Sequence, residues 1–217
     1  MTGVIPLSDA SRRPATAPAV TVALIAVNVA VFVAELVEGE AFVLHWSAVA
    51  ADITAGHRVY TLLTSMFLHG SWSHIVGNMV FLWAFGPAVE DALGHLKYLL
   101  FYLCGGVAAM GAQVLMTPHA TIPMLGASGA IAAVMGSFLV MYPRDQIKSV
   151  IFLGWWVDIR FIPAALLIGV WFLLQLISVG VVGPQNTGGV AFVAHAAGLI
   201  FGALITRLFE GGERATA

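Results

Sequence analysis

Four polar side chains stand out in a chain that otherwise has few. Ser128 lies in Gly126-Ala127-Ser128-Gly129, His195 in Ala194-His195-Ala196-Ala197-Gly198, and His74 and Asn78 share His74-Ile75-Val76-Gly77-Asn78. A serine hydroxyl is a weak nucleophile until a neighbouring base takes its proton, and histidine is the usual base. His195 is the candidate base for Ser128. The apolar run around it holds no carboxylate to complete a triad, so a Ser-His dyad is expected. Negative charge developing on a tetrahedral intermediate needs preorganised donors. The Asn78 amide, His74 and the backbone N–H of Ser128 can supply them, and the i, i+4 spacing of His74 and Asn78 puts both on one helix face. The chemistry open to this set is acyl transfer.

The elements that must position these residues follow from composition. Of 217 residues, 60% are hydrophobic and 9% charged, with a mean hydropathy of +0.95. A soluble domain carries about 25% charged residues, so an ordinary soluble enzyme is excluded. The expected fold class is all-α, a polytopic helical membrane bundle. A crossing takes roughly 20 apolar residues, and the apolar runs leave room for about six. These are Ala19 to about Val37, Trp72 to Leu93, Lys97 to Met116, Gly126 to Tyr142, Phe161 to Val182 and Val190 to Phe209, with Gly94, Pro118, Pro123, Pro143 and Pro184 in the gaps. The first run exceeds the apolar core of a signal peptide, about 7 to 15 residues, and reads as an uncleaved span. Residues 1–18, rich in Pro, Ala and Ser, read as a flexible tail, 19–209 as the membrane domain and 210–217 as a second short tail. Glu38 to Leu68 is too long for a minimal turn and reads as a structured, partly embedded loop. Trp155 and Trp156 suit either a membrane interface or packing against a neighbouring helix. Cys104, within an apolar run, reads as a small core residue. A net charge of -2 without a basic patch excludes nucleic acid as a partner.

The few charges also set an orientation. With the first tail cytoplasmic, Arg12, Arg13, Lys97, Arg144, Lys148, Arg160, Arg207 and Arg214 share the inner side and Arg58 alone lies outside, so both termini are expected inside. Ser128, His195 and the His74–Asn78 pair then fall on inward-running spans at one depth, near the outer leaflet. Basic residues alone set this topology, so the convergence is independent of the motifs. Gly126 and Gly129 remove side chains around Ser128, so that a peptide backbone can approach. Gly198 and Gly202 form a Gly-xxx-Gly pair that permits close helix contact. Each residue also has a plainer reading: serine bonding a carbonyl one turn back, Asn78 bonding a neighbouring helix, a histidine at an interface. Two other function classes stand beside acyl transfer. One is a non-enzymatic binder of membrane helices; the other is a small transporter, which calls for charged or broken-helix sites at the midplane that the sequence lacks.

The motifs resemble those of the rhomboid intramembrane serine proteases, and the match covers nearly the whole chain after the tail. Leu62-Leu63-Thr64-Ser65-Met66-Phe67-Leu68-His69-Gly70 leading into His74 and Asn78 is similar to the family's His and His-x-x-x-Asn signature. Gly126-Ala127-Ser128-Gly129 is similar to its nucleophile motif, and Ala194 to Gly198 followed by Gly202 to its sixth-span histidine motif. The resemblance implies a rhomboid-like bundle with Ser128 as nucleophile, His195 as general base, and His74 and Asn78 as oxyanion partners. It implies that Gly126 shapes the site and that His69 is structural, holding the first loop and second helix. It further implies single-span membrane proteins as substrates, cut near the outer leaflet of a bacterial-type plasma membrane, with small residues around the cut and no metal or organic cofactor. Two places depart from the family pattern. Many relatives carry an aromatic residue four positions after the serine, packed on the catalytic histidine, where this chain has Ala132. Many carry Trp-Arg in the first loop, where this chain has Tyr60 and Thr61, with Arg58 upstream. Gln185 to Val190, with Gly188 and Gly189, is a candidate flexible cap over the site.

Overall fold

The computed structural model describes residues 2–182 and 188–209. In chain order the elements are β1 (Thr2–Asp9), α1 (Ala19–Glu38), α2 (Glu40–Trp46), α3 (Ala50–Thr54), α4 (Thr61–Thr64), a 3-10 turn (Ser65–Phe67), α5 (Trp72–Leu93), α6 (His95–Met116), α7 (Ser128–Met141), β2 (Gln146–Leu153), β3 (Trp156–Pro163), α8 (Ala164–Val182) and α9 (Gly188–Phe209). The long helices fall on the apolar runs read from the sequence. Among the described residues, Ala19–Glu38, His95–Met116 and Phe192–Phe209 are long and apolar enough to cross a membrane, which makes this a multi-pass membrane protein. The stretch from Glu38 to Leu68 is structured, as expected, by α2, α3, α4 and the 3-10 turn. Residues 185–187 of the candidate cap and the expected tail at 210–217 lie outside the described residues, and Gly188 to Val190 open α9.

Helix α7 is the hub. Its residues from Gly129 to Phe138 are all buried, with α5, α6 and α9 packed around it. In lipid, helices gain little from hydrophobic burial and associate through close packing of small residues. The run Gly129-Ala130-Ile131-Ala132-Ala133 supplies that smooth surface.

Three expectations are corrected. The fold is not purely helical: β1, β2 and β3 form an antiparallel sheet in the order β1-β2-β3. Gln146 to Pro163 reverses at Gly154, whose φ of 65° suits a tight turn, and β3 takes Phe161 to Pro163 from the expected fifth span. The first residues are not a flexible tail either. An isolated hairpin leaves an edge of unpaired backbone groups, and β1 fills it. The strap is then tied down by Arg12, which pairs with Asp145 and lies 4.0 Å over the Tyr142 ring, and by Thr16, whose N–H and hydroxyl both donate to Asp91. Finally, Cys104 is exposed on α6, not in the core. Trp155 and Trp156 stand out at the hairpin end, 90% and 56% exposed, and neither is packed away against a helix.

The start of α1 shows how a chain with few charges spends one of them. The first N–H groups of a helix have no partner within it, and α1 has no side-chain cap of its own. Glu90, fully buried on α5, supplies the acceptors: its carboxylate takes hydrogen bonds from Val20 N (2.8 Å), Thr21 N (2.8 Å) and the Thr21 hydroxyl (2.6 Å). A negative charge also favours the positive end of a helix. His95 at the start of α6 reaches the same carboxylate at 2.7 Å, so one group ties α1, α5 and α6 together. Replacing it orphans several buried donors at once. Glu90→Ala is expected to lower unfolding free energy by about 3 kcal/mol, read by thermal or denaturant unfolding in detergent, with Glu90→Gln losing less because one acceptor oxygen is kept.

Candidate functional site

Ser128 opens α7, and the segment before it is held by the first loop. Ala48 and Met124 exchange backbone hydrogen bonds, Ala51 N–H donates to Ala120, and Gly126 N–H donates to Ser65 of the 3-10 turn. The loop is in turn clamped by Arg58. Its guanidinium donates to the carbonyls of Leu44, His45 and Ser47 and pairs with Asp52, while Trp46 packs edge-on to Tyr60 at 5.9 Å. The departure from the family's Trp-Arg pattern therefore leaves the loop anchored, with Arg58 doing so from a left-handed backbone position at φ 51°.

Gly126 has a φ of +126°, a conformation that L side chains rarely adopt. A Cβ there would sit 2.8 Å from the His74 ring and 3.7 Å from the Ser128 hydroxyl, so these two groups face each other across a gap that only glycine leaves open. His74 lies in the first turn of α5, where Ser71 Oγ accepts from its N–H at 3.2 Å and caps the helix. Asn78 is one turn further on. Its buried Nδ2 donor has no hydrogen-bond partner among the described residues.

His195 comes from α9 and is 4% exposed, behind a half-buried Ser128. Its Nε2 lies 2.6 Å from Ser128 Oγ. Its Nδ1 is buried with no hydrogen-bond partner among the described residues, so no carboxylate completes the pair there. This approach depends on the α7–α9 seam. A Cβ on Gly198 would overlap the Gly129 carbonyl oxygen, and one on Gly202 would overlap that of Ala133. Gly129 in turn faces Ala109 of α6.

Ser128, His195, His74 and Asn78 all line one cavity of about 700 Å³, which Phe81 and Trp171 also border. That volume is within the range of ligand pockets, roughly 300 to 1,000 Å³. His69 is buried just outside, and its ring meets that of His74 edge-on at 5.0 Å. Its tie to the rest of the fold is through the backbone, whose N–H donates to both oxygens of Glu35 at the end of α1, at 2.9 and 3.2 Å. Burial, and then the nearby His74, pull the His69 imidazole down to about 4, so it is neutral at pH 7. Among the described residues, no group of three or more His, Cys, Asp or Glu side chains could hold a metal ion.

Sequence reasoning brought together the serine, both histidines and the asparagine, but passed over Glu35, Glu90 and Trp171. The two acids carried a usable signal, because ionised groups near span ends are costly and mark fixed partners. Trp171 carried none, since an aromatic in an apolar run is usually packing.

Residues 56–210 match the family model described as Rhomboid domain. The chain is 29% identical over 197 residues to RHOMBOID-like protein 12, mitochondrial, of Arabidopsis thaliana, covering 82% of this chain and 55% of that protein. It is 31% identical over 154 residues to Rhomboid-like protein 11, chloroplastic, of the same plant, covering 70% and 52% respectively. Rhomboid protease GluP of Bacillus subtilis is 38% identical over 80 residues, 37% of this chain and 15% of that one. The chain thus spans about half the length of the two plant relatives.

The seam is directly testable. Gly202→Ala is expected to cost about 1 to 3 kcal/mol of stability from overpacking. Gly111→Ala, where a Cβ meets nothing within 4 Å, should be neutral or gain up to about 1 kcal/mol from helix propensity. Paired unfolding curves read both, and equal behaviour would show that the seam tolerates separation.

Proposed function

Because the chain belongs to the rhomboid family, we propose that it is an intramembrane serine endopeptidase working through a Ser128–His195 dyad. The observation that carries this reading is the 2.6 Å contact between Ser128 Oγ and His195 Nε2, at the edge of a cavity. In the proposed reaction His195 Nε2 takes the hydroxyl proton as Oγ attacks a peptide carbonyl carbon. The oxyanion so formed accepts hydrogen bonds from Asn78 Nδ2, His74 and the Ser128 N–H, at the positive end of α7. Nε2 then passes its proton to the leaving amine, and the C–N bond breaks to leave an acyl-enzyme. Water, deprotonated by the same nitrogen, releases the acid and restores the serine. The donor on Asn78, unpaired among the described residues, supports its role, because a donor held without a partner is preorganised for a charge that appears only in the transition state.

The reading extends to what the protein meets in the bilayer. Six crossings with both termini on the cytoplasmic side open the site toward the outer face of a bacterial-type plasma membrane. Substrates are single-span membrane proteins that unwind locally, since a helix's own hydrogen bonds keep its carbonyls out of reach. Small residues at the cut suit the approach across Gly126.

Ser128→Ala and His195→Ala are each expected to abolish cleavage of a tagged single-span reporter while the protein still accumulates in membranes. Full cutting by either variant sinks the assignment. A fluorophosphonate probe should label the unaltered protein at Ser128; a folded protein that resists labelling would be a binder of membrane helices instead. Asn78→Ala is expected to be milder, slowing turnover by about 100- to 1,000-fold, the effect of removing one oxyanion donor; loss of the folded protein would make Asn78 structural.

A further inference from the structure

We propose that Trp171 of α8 is the positioning residue for His195, replacing the aromatic that Ala132 does not provide. This rests on the proteolytic reading and adds a part to it.

In a hydrolase the base is normally oriented by a third group bonded to its second nitrogen. Here that nitrogen, Nδ1, is buried and unbonded among the described residues, so no hydrogen bond sets the tilt of the ring. The end torsion of a histidine is broad, and a ring held at one nitrogen by a small hydroxyl can rock away from it. Packing has to supply the constraint. The Trp171 ring lies 5.1 Å from the imidazole, centroid to centroid, at 55°. Trp171 also touches Phe81 of α5, at 6.0 Å and 44°. Phe81 stacks on Phe85 at 6.2 Å and 22°, and Phe85 meets Phe138 of α7 edge-on at 5.1 Å. A row of aromatic rings thus runs from α7 through α5 and α8 to the base on α9.

The alternative site for an aromatic is closed. Ala132 is fully buried in the α7–α9 seam, where even a Cβ added at Gly198 would come within 3.2 Å of the Ala132 Cβ. A ring at that place competes with the contact that brings Ser128 and His195 together, whereas a ring reaching in from α8 does not.

The contact also has an electrostatic sense. When His195 takes the serine proton it becomes a cation, and indole is the best aromatic partner for a cation. Trp171 therefore favours the state in which the proton has moved, and its effect belongs to turnover more than to substrate binding. It also follows that the base is fully oriented only when α8 is seated against α5 and α9.

The test compares full-length protein in liposomes with Trp171→Leu and Trp171→Phe, using Ser128→Ala as the blank. Read-outs are kcat and KM on a single-span reporter, the rate constant of fluorophosphonate labelling, and the unfolding temperature. Trp171→Leu is expected to lower kcat and the labelling rate together by roughly tenfold, the scale of one desolvated cation–π contact. KM and unfolding temperature should stay close to those of the unaltered protein, and Trp171→Phe should recover most of the loss. Unchanged or faster turnover in Trp171→Leu overturns the proposal, since a ring that merely obstructs entry would behave that way. An equal loss in both variants, with a fall in unfolding temperature, makes Trp171 structural and overturns it too. If the unaltered protein labels at Ser128 while Trp171→Leu labels equally fast, the protease reading stands and this one fails; if the folded, unaltered protein neither labels nor cuts, both fall together.

Discussion

Everything at the site hangs on how closely α9 can lie against α7. Two helices whose facing residues carry full side chains keep their axes about 8 to 10 Å apart, and small facing residues let the two backbones come closer. Gly198 and Gly202 put bare backbone on the α9 side, opposite the carbonyls of Gly129 and Ala133. In a bilayer this arrangement is favoured for its own sake, because dispersion and close packing replace a hydrophobic drive that lipid removes. The same seam that holds the bundle together therefore brings Nε2 to 2.6 Å from Oγ.

Around this seam the scarce charges act as fasteners at the ends of helices. Glu90 caps α1 from α5, Glu35 takes the His69 N–H from the end of α1, and Arg58 gathers the carbonyls of the first loop. Each joins an acidic or basic side chain to backbone groups that helix ends and turns leave without partners. They place the first loop, and the loop places the segment before Ser128 through the Ala48–Met124 and Gly126–Ser65 bonds. The position of the serine is thus set from both sides, by helix packing below and by a clamped loop above.

The departures from the family pattern show how a constraint can be met from another place. The arginine that steadies the first loop, Arg58, sits upstream of the Trp-Arg position and holds the loop through the carbonyls of Leu44, His45 and Ser47. The aromatic against the histidine comes from a different helix. In both cases the physical requirement concerns a location in space, and a side chain long or broad enough can fill it from more than one position in the chain.

How much was legible beforehand follows the range of the forces involved. Helix positions, the structured first loop and the grouping of Ser128, His195, His74 and Asn78 were readable because hydropathy, helical spacing and glycine motifs act over a few neighbouring residues. The sheet was missed, although Gln146 to Pro163 holds a strand-turn-strand pattern, because β1 becomes a strand only when the hairpin offers it an edge. Cys104 was misplaced because an apolar run in a membrane protein does not say which side faces lipid. By itself the sequence determined that this is a multi-pass helical membrane protein of the rhomboid family and which polar side chains its apolar runs carry. Only the tertiary structure decided that Glu90 caps α1, that Arg58 holds the first loop and that Trp171 meets His195. These contacts join residues distant in the chain, and their partners are chosen by three-dimensional packing, which no local pattern records.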